Sequence, residues 1–596
     1  MSNDIVAATP GDIGEKGAMM VNTASQSQSL GETKNVETVE SSAPPQKRLI
    51  REDECAGQLA HDWSWQKKWY VLSVIAVVQT SMNFNTTLYS NGIPGMMEEF
   101  GISETAAVSG AAVFLITYAF GCELWAPWSE ELGRKVVLML SLFFVNMFCL
   151  PVALAPAFPS VLVGRAFGGL ASAGGSVTLG IVADMYSPDE HQYAIAFVSL
   201  SSVGGSIFGA IIGGFVQENL HWRWAMWLQL IFGVFVQLLH LTTPETRKTV
   251  LMDRIAQRCR KMDPQGRGNT YGPGEMKSKR ERFLNTKEIL GTWARPFKML
   301  VGEPIVMYLS LLSGFADALI FMCVQSFGLV YEQWGFKTWQ IGLTFLPIGL
   351  AYIVSWAMFL PAIKRNKRQR RQCRENAEIN TERAAWVDYE GRMWLLLWLA
   401  PCLVVGLVMF AATSSGPPLH WIWSMIASFL IGIANYAIYM ATIDYMVAAY
   451  GEFAASATGG NGFARDFLAG ILTWAAQPFY QNIGASIGGS FHLQIPSGIL
   501  AVVSLFLVGS VYVVYYRGPV LREKSPFALS IVHEREARTA NQAANKSMSH
   551  LGSPKDSRVD ISRAMTPLDG TLMAPGDNSG RLEQLGGMGP VNWREK

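Results

Sequence analysis

The chain has 596 residues, of which 50% are hydrophobic and only 16% are charged, and its formal net charge is +2. Because soluble globular proteins carry about 25% charged residues, this composition excludes an ordinary soluble domain and predicts a membrane protein. The near-zero net charge indicates no strongly charged macromolecular partner. The seven cysteines have no paired spacing, so the sequence predicts neither a disulfide framework nor a metal site.

A polar tail precedes twelve apolar stretches. Residues 1–62 are rich in Ser, Thr, Gln and Glu and have no apolar core, which predicts a disordered tail without a signal peptide. A membrane-spanning helix needs about 20 mostly apolar residues. The fourth, tenth and eleventh stretches are weakened by polar or small residues. The predicted spans are approximately 69–90, 105–127, 136–156, 159–183, 193–216, 223–241, 304–331, 340–362, 393–412, 420–448, 454–480 and 497–517.

The spacing of these spans predicts the domain organisation. Six spans are closely spaced, a polar segment follows, and six more spans come after it. This layout predicts an all-α polytopic membrane protein with twelve transmembrane helices in two six-helix bundles. The predicted parts are a disordered tail (1–62), a first bundle (63–241), a basic linker (242–302), a second bundle (303–517) and a mostly disordered tail (518–596).

The loops differ in their content of Lys and Arg. One set contains Arg134 and Lys135, fourteen cations from 247 to 298 and nine from 364 to 392, whereas the opposite set contains only Arg223 and Lys337. Cytoplasmic loops are enriched in Lys and Arg, so we predict that the basic loops and both termini are cytoplasmic. The basic segment 254–258 predicts a surface helix near anionic lipid headgroups. Nucleic-acid binding by these basic runs is the disfavoured alternative.

In the first span, Gln79, Asn83 and Thr86 recur at helical spacing and form one polar stripe. Such a stripe is too polar for a lipid-facing surface. We predict that it faces an aqueous cavity, and hydrogen bonding to another helix is the alternative.

Between the second and third spans, a short turn carries Glu130, Gly133, Arg134 and Lys135. An acid, a glycine and two cations in so short a connection are hard to reconcile with the end of a soluble core helix. They are typical of a tight cytoplasmic turn, because basic residues stay on the inner side of the membrane.

The fourth and fifth spans carry an intramembrane cation and a glycine pattern. Arg165 lies within the fourth span, where a charge is costly unless it is paired or hydrated, so it is a functional candidate. Glycines four residues apart in the fifth span share one helix face and let another helix approach closely. A structural role is the default for any one such pair, but the longer pattern is more specific. The glycines are Gly205, Gly209, Gly213 and Gly214.

Taken together, these segments resemble the major facilitator superfamily, specifically its fungal twelve-span drug:proton antiporter branch, which also holds polyamine exporters. The resemblance extends over about residues 63–526 and implies two six-helix bundles around a central cavity with alternating access. The turn departs from the commoner pattern at Ala126, Glu130 and Glu131, and Ala210 stands where Pro is common. The matching segments are 126–135, 164–169, 205–214, 221–224, 244–254, 295–297, 303–304 and 456–466.

The resemblance implies a gating role for the turn and for the fifth-span glycines. Glu130 is expected to hold the inward gate closed through charge contacts. Arg134 is its expected partner or, alternatively, a lipid-facing anchor. Gly133 belongs to the same gating turn.

A proton-driven transporter needs titratable groups within the membrane. For each candidate acid, a permanent ion pair that locks helices together is an equally weighted alternative, and for Glu123 a role as a gate latch is a further one. Neighbouring residues point in different directions on a helix, so Arg465 and Asp466 are not expected to be each other's sole partner. The candidate acids and counter-charges are Glu123, Asp317, Asp444, Asp466, Arg165 and Arg465.

Aromatic and amide side chains of the seventh and tenth spans are candidates for lining the same cavity. Aromatic rings suit planar or cationic organic ligands through stacking and cation–π contact. The alternative is that these rings face lipid. The candidates are Phe321, Gln325, Tyr436 and Tyr439.

The sequence therefore predicts a secondary active transporter that exports small organic molecules, such as drugs, toxins or secondary metabolites, in exchange for protons. A polyamine or another endogenous metabolite is the alternative substrate. No P-loop pattern is found, which argues against ATP hydrolysis by this chain. The proton gradient is the expected energy source, no cofactor is expected, and the protein is expected to act as a monomer in the plasma membrane.

Two other classes compete with this prediction. The eight histidines are scattered and form no HxxxH cluster, so we do not expect an integral-membrane enzyme. A non-transporting nutrient sensor that signals through its long tails is the second alternative.

Overall fold

Helices form nearly all of the regular structure in the computed structural model, which describes residues 48–187, 190–262, 270–276, 286–375, 386–387, 389–487, 493–525 and 527. Most of the two predicted disordered tails lies outside the described residues. The helices are α1 (Trp65–Asn91), α2 (Ile93–Phe100), α3 (Glu104–Glu131), α4 (Arg134–Ala153), α5 (Phe158–Ala171), α6 (Gly174–Met185), α7 (His191–Asn219), α8 (Arg223–Leu241), α9 (Lys248–Met262), α10 (Thr286–Gly302), α11 (Pro304–Tyr331), α12 (Thr338–Leu343), α13 (Leu346–Glu375), α14 (Trp394–Leu399), α15 (Pro401–Thr413), α16 (Ile422–Tyr450), α17 (Ala454–Ile487) and α18 (Gln494–Glu523).

Each of the twelve predicted spans is helical. Among the described residues, ten helical segments are long and apolar enough to cross a membrane. The other two predicted spans, α1 and α17, are long enough, with 27 and 34 residues. They are not among the ten because their sequences are more polar. Their polarity comes from side chains that are buried inside the protein, such as Gln79 in α1 and Arg465 in α17. The prediction of an all-α polytopic fold is confirmed.

The fourth predicted span is two helices, because the chain leaves the helical conformation at Ser172. A break inside a membrane exposes backbone groups that need new hydrogen-bond partners. Here the hydroxyl of Ser141 on α4 accepts the N–H of Ala173 at 2.9 Å. The break is thus satisfied by a neighbouring helix.

Two seams join the helices that precede the linker, α1–α8, to those that follow it, α11–α18. We call these sets the first and second halves. In the first seam, α3 packs against α17; in the second, α7 packs against α12, α13 and α16. Small residues permit the close approach, since a Cβ added at Gly470 would lie 2.7 Å from the Ile116 side chain and 3.1 Å from the Ala112 carbonyl.

Residues 48–62 correct the prediction of a disordered tail over 1–62. They contain a two-residue strand, β1 (Arg48–Leu49), which pairs in parallel with β2 (Thr270–Tyr271). Ile50, Cys55 and Leu59 are buried against Met252, Ile255 and Ala256 of α9. Burial of these apolar side chains against the linker orders a segment whose composition suggested disorder. We call residues 48–62 the N-terminal segment.

Two helices continue past their predicted ends. The eighth span, predicted to end at 362, extends through α13 to Glu375, and the twelfth, predicted to end at 517, extends through α18 to Glu523. Lys and Arg are good helix formers, so a helix does not stop where its apolar stretch stops. The extensions matter because Arg370 and Arg522 lie on them, and both enter buried hydrogen-bond networks.

Candidate functional site

A buried charge cluster lies where α17 meets α11. The guanidinium of Arg465 is 3.1 Å from Asp466 and 3.6 Å from Asp317 of α11. The ring of Tyr439 on α16 lies 4.7 Å from the same guanidinium. Two carboxyl groups therefore share one guanidinium. We call Arg465, Asp317, Asp466 and Tyr439 the central cluster.

One sequence expectation about this cluster is wrong in part. Arg465 and Asp466 are neighbours in sequence and were expected to point apart. The long Arg465 side chain instead folds back, and its Nε donates to Asp466 Oδ1 at 3.1 Å. Asp317 is a second acidic partner, so Asp466 is not the only one, as expected.

Glu123 of α3 reaches the same region from the first half. Its side chain is buried, and its Oε1 has no hydrogen-bond partner among the described residues. It packs against Gly459 of α17, where an added Cβ would lie 2.7 Å from Oε1. Gly459 and Asp466 are seven residues apart, so they lie on the same side of α17, about 10 Å apart along its axis. A carboxyl group that has no counter-charge among the described residues thus lies in the seam between the halves, two turns from the central cluster.

Asp444 of α16 belongs to a different cluster. Arg392 donates to its Oδ1 at 2.6 Å, and Gln192 of α7 donates to its Oδ2 at 2.5 Å. Arg370 of α13 then donates to the side-chain Oε1 of Gln192 at 2.9 Å. These contacts join the first residues of α7 to the second half at the end that carries the basic loops. We call Asp444, Arg392, Gln192 and Arg370 the end cluster.

Arg165 is buried without an acidic partner among the described residues. Its Nε donates to the Gly110 carbonyl at 3.2 Å, and its Nη1 donates to Asn85 Oδ1 at 3.0 Å. The rings of Phe114 and Tyr89 flank its guanidinium at 4.0 and 4.6 Å. The alternative that Arg165 is a counter-charge for an acid is therefore not supported by the described contacts: carbonyl oxygens and aromatic faces surround this charge instead.

The turn between α3 and α4 is held by residues that the sequence did not single out. Arg134 Nε donates to Asp184 of α6 at 3.1 Å, whereas its expected partner Glu130 lies 3.9 Å away. Arg247 reaches the same Asp184 at 3.6 Å. Glu245 accepts the backbone N–H groups of Arg134 at 2.9 Å and Lys135 at 3.2 Å. This turn is thereby tied to α6 and to the start of the linker.

Gly133 is required at this turn for two reasons. Its φ of +103° is rarely adopted by residues with a side chain. An added Cβ would also lie 2.5 Å from the Glu245 carboxylate. Any other residue would therefore displace the carboxylate that anchors the turn.

The fifth-span glycines divide between two contacts. Gly205, Gly209 and Gly213 face α1, where added Cβ atoms would overlap Thr80, Thr87 and Asn91. Gly214 instead faces the second half, and an added Cβ there would lie 3.1 Å from the Cα of Gly342 on α12. Three glycines thus serve packing within the first half, and one permits backbone contact between the halves.

The predicted cavity residues are buried or half-buried, and each either makes an interhelical contact or lies among packed helices. Tyr436 donates to the Ala196 carbonyl of α7 at 2.8 Å, and Gln325 donates to Ser90 of α1 at 3.1 Å. Asn83 donates to Ser202 of α7 at 3.2 Å. The other members of the set are Gln79, Thr86 and Phe321, which are buried, and Tyr439 of the central cluster.

An apolar groove opens between α1, α7, α13 and α16. Its volume is about 880 Å³, within the range of small-molecule sites. Among its lining residues, Phe208, Leu350 and Ile353 are more than half exposed. None of the seven predicted cavity residues lines it, although Thr80, next to Gln79, does. We call this space the lateral groove.

Comparison with known proteins decides the family. The profile of the Major Facilitator Superfamily matches residues 75–473, more than half of the chain. The chain belongs to the major facilitator superfamily. It is accordingly an integral multi-pass membrane protein and a transporter, not an enzyme.

Fungal transporters are among its relatives. A transporter named paaT from Penicillium rubens is 29% identical over 477 residues, covering 79% of this chain and 82% of that protein. An efflux pump named atB from Aspergillus terreus is 32% identical over 407 residues, covering 68% of this chain and 81% of that protein. The solved structure of the proton:xylose symporter XylE has a TM-score of 0.50 at 14% identity, covering 75% of this chain and 97% of that one. The structural match supports the fold alone.

The sequence indicated the buried charged residues themselves but not the residues with which they form hydrogen bonds and ion pairs. Asp184 and Glu245 lie at the ends of predicted spans, where an acid is unremarkable, and Arg370 and Arg392 were counted only as loop cations. The one available signal was Glu245 directly after Pro244, since a proline ends a helix and places the next residues at a turn.

Proposed function

We propose that this superfamily member exports small organic molecules in exchange for protons. The observation that carries the proposal is the charge imbalance around Arg465: Asp317 and Asp466 share one guanidinium, and Glu123 lies nearby in the seam without a counter-charge. An uncompensated buried carboxylate is strongly disfavoured, so binding of protons at this cluster lowers the free energy of the closed seam.

Coupling follows from the position of Glu123. The carboxyl oxygen against Gly459 is excluded from water while α3 and α17 are packed together. Protonation of Glu123 removes the charge that opposes this packing, whereas separation of the two helices hydrates the group and favours release of the proton. Proton binding and seam closure are thereby linked in both directions.

Substrate exchange centres on the half-buried acid, Asp317. Its 3.6 Å contact with Arg465 is longer than the 3.1 Å contact that Asp466 makes. A substrate that hydrogen-bonds to Asp317 or stacks on Tyr439 competes for the same groups as the proton. Competition for one site is the simplest basis of antiport, because occupation by one ligand promotes loss of the other.

The lateral groove favours an amphipathic substrate over a polyamine. Its lining residues are mostly apolar, so a molecule dissolved in the bilayer can enter it without losing hydration. A polyamine carries charge along its whole length and gains nothing from such a wall. The name of the relative atB, an efflux pump, agrees with the export direction.

The deciding experiment is fluorescent-substrate efflux from a pump-deficient fungal host that expresses the full chain. We expect efflux that an uncoupler abolishes. Asp317→Asn and Glu123→Gln should each reduce it by about tenfold or more, which corresponds to about 1.4 kcal/mol or more in the activation free energy. Glu98→Gln, which alters an exposed acid of α2 outside the turn and the central cluster, is the control for expression. Efflux that persists in the uncoupler, or normal coupled efflux in both variants, would refute proton exchange at this cluster.

We further propose a plasma-membrane location with both termini cytoplasmic, and a monomer that needs no cofactor beyond the proton gradient. The basic loops carry this orientation. Cys259 of α9 is an exposed native probe, whereas Cys55, Cys122, Cys149 and Cys323 are buried. A membrane-impermeant maleimide should label Cys259 only after cells are permeabilised, with Cys259→Ser as the control. Labelling of Cys259 in intact cells would overturn the orientation.

A further inference from the structure

A second cavity lies at the end of the molecule that carries the basic loops. It is enclosed by the N-terminal segment and α9 on one side and by the ends of α1, α4 and α8 on the other, and its volume is about 740 Å³. None of the central-cluster residues lines it. We call it the basic cavity.

Four cations line the basic cavity: Lys67, Lys135, Arg254 and Arg258. Arg254 and Arg258 are one helical turn apart on α9, so they share a face, and both are exposed. Neither makes an ion pair with a residue that the structure describes. Lys67 lies over the ring of Trp63 at 3.8 Å, and Lys135 donates to the Leu241 carbonyl at 2.8 Å. Two of the cations are thus held in place, and two are available to an anion.

Glu245, the one acid among the described residues that line the cavity, already has hydrogen-bond partners. The oxygens of Glu245 accept four backbone N–H groups, from Arg134, Lys135, Thr246 and Arg247. These bonds hold the carboxylate against the turn between α3 and α4. Four cations therefore line the cavity together with one carboxylate, and that carboxylate is hydrogen-bonded to backbone N–H groups. The resulting excess of positive charge favours an anionic ligand.

One wall of the basic cavity is apolar and open to the outside. Val136 and Leu140 of α4 are 43% and 40% exposed, and Leu241 at the end of α8 is 50% exposed. They lie where the spanning helices begin, so they face the boundary between headgroups and acyl chains. A free inorganic anion gains nothing from this wall, whereas an amphiphile places its charged head among the cations and its chain along the wall.

We infer that the basic cavity binds the phosphate-bearing headgroup of an anionic phospholipid, with its acyl chains lying along Val136, Leu140 and Leu241. Arg254 and Arg258 contact the phosphate, and Lys67 and Lys135 flank it. Basic pockets at the cytoplasmic ends of membrane helices suit such headgroups. The inference rests on the proposed orientation but not on proton coupling or on the identity of the exported substrate.

The test uses the full chain, purified in detergent and delipidated, and native mass spectrometry with added phosphatidylserine or phosphatidylcholine. Arg254→Gln with Arg258→Gln should weaken phosphatidylserine binding by about thirtyfold, at about 1 kcal/mol per cation. The matched control is Arg51→Gln with Lys261→Gln, which removes the same charge from exposed positions of the N-terminal segment and α9 that do not line the cavity. Phosphatidylcholine should bind weakly to both.

A second variant separates a lipid from a free anion. Leu140→Gln should weaken phosphatidylserine binding. Retained labelling of Cys259 and an unchanged melting temperature would show that the variant is still folded. Inorganic phosphate is titrated as a competitor. Equal losses in the cavity and control variants would overturn the inference. So would displacement of the lipid by inorganic phosphate together with no effect of Leu140→Gln, which would assign the cavity to a free anion.

Discussion

Asp444 and Asp317 are both buried or half-buried acids of the second half, yet their surroundings differ in charge balance. Asp444 accepts a hydrogen bond from Arg392 at 2.6 Å on one oxygen and from Gln192 on the other. Among the residues that the structure describes, Asp317 contacts a guanidinium at 3.6 Å that it shares with Asp466. Asp444 is therefore held by two short hydrogen bonds, whereas Asp317 makes a longer contact with a guanidinium that a second acid also uses.

The difference teaches how to separate structural ion pairs from groups that can exchange protons. A compensated buried pair resists protonation, because loss of either charge leaves the other unpaired. An acid that shares its counter-charge can gain a proton or a ligand while Arg465 stays paired with Asp466. The end cluster is therefore expected to hold the halves together, and the central cluster to carry the exchange.

Removal of the shared cation should have the largest effect. Arg465→Gln leaves Asp317 and Asp466 without a counter-charge, so we expect efflux to fall by about a hundredfold or more and the folded state to lose about 3 kcal/mol. Efflux assays and thermal unfolding of the purified protein measure the two effects. Arg465→Lys, which keeps the charge but loses the fork of donors, should recover stability more than efflux. Normal efflux in Arg465→Gln would remove the central cluster from the mechanism.

Exchanging one carboxylate in each cluster should separate the two roles. Asp317→Asn should abolish the response of efflux to the proton gradient and change the melting temperature little, since Arg465 keeps Asp466. Asp444→Asn should lower stability by about 2 kcal/mol, because it weakens charge-assisted hydrogen bonds from Arg392 and Gln192, and should leave uncoupler sensitivity intact. If Asp444→Asn abolished uncoupler sensitivity and Asp317→Asn lowered only stability, the end cluster would carry the proton.

A packing change outside both clusters should alter stability without altering coupling. Gly209→Val forces a side chain into the Phe84 carbonyl, 2.8 Å from an added Cβ, and into Thr87, at a cost of about 1–3 kcal/mol. Gly204→Val is the matched control on the same helix, because nothing lies within 4 Å of its added Cβ. Thermal unfolding and uncoupler-sensitive efflux are measured for both. Equal destabilisation would mean that α1 and α7 do not pack through the glycine face.

The smallest effect should come from an ion pair in the linker. Hydrogen bonds from Arg260 lower the pKa of Glu275 to about 2, below its usual value of 4.5. Because the folded pKa is depressed, the pair stabilises the linker fully above about pH 4.5, and the contribution disappears as the pH falls toward 2. Glu275→Gln should increase hydrogen exchange of β2 at pH 7 and change efflux by less than about twofold, since this half-buried pair contacts neither cluster. A pH-independent effect of the substitution would contradict this.

The arrangement of helices was largely predictable, because apolar length is a local property. Each of the twelve apolar stretches is helical, although three of them are divided between two helices, and the glycines four residues apart mark the face of α7 that contacts α1. The N-terminal segment was not predictable. Its three buried apolar side chains are scattered among charges, and the surface that covers them, α9, is about 200 residues later in the chain.

The candidate site was predictable in its residue types but not in its partnerships. Asp317, Asp444 and Asp466 stand out as charges within apolar stretches. Which cation serves which acid depends on how helices from two halves are juxtaposed, and no local pattern encodes that. Arg392 is an example. Because it lies in a basic loop, its sequence position gave no indication of its contact with Asp444, 52 residues later.

The contacts that join α7 to the second half differ in kind between the two ends of the helix. At the first residues of α7, Gln192 connects Arg370 to Asp444 through directional hydrogen bonds. At the far end, Gly214 and Gly342 meet backbone to backbone, supported by the stacked rings of Phe215 and Trp339. Dispersion contacts separate gradually, whereas charged hydrogen bonds must break outright. An unenergised, empty carrier should therefore rest with its glycine end parted and its polar end closed, so that its interior opens away from the basic loops.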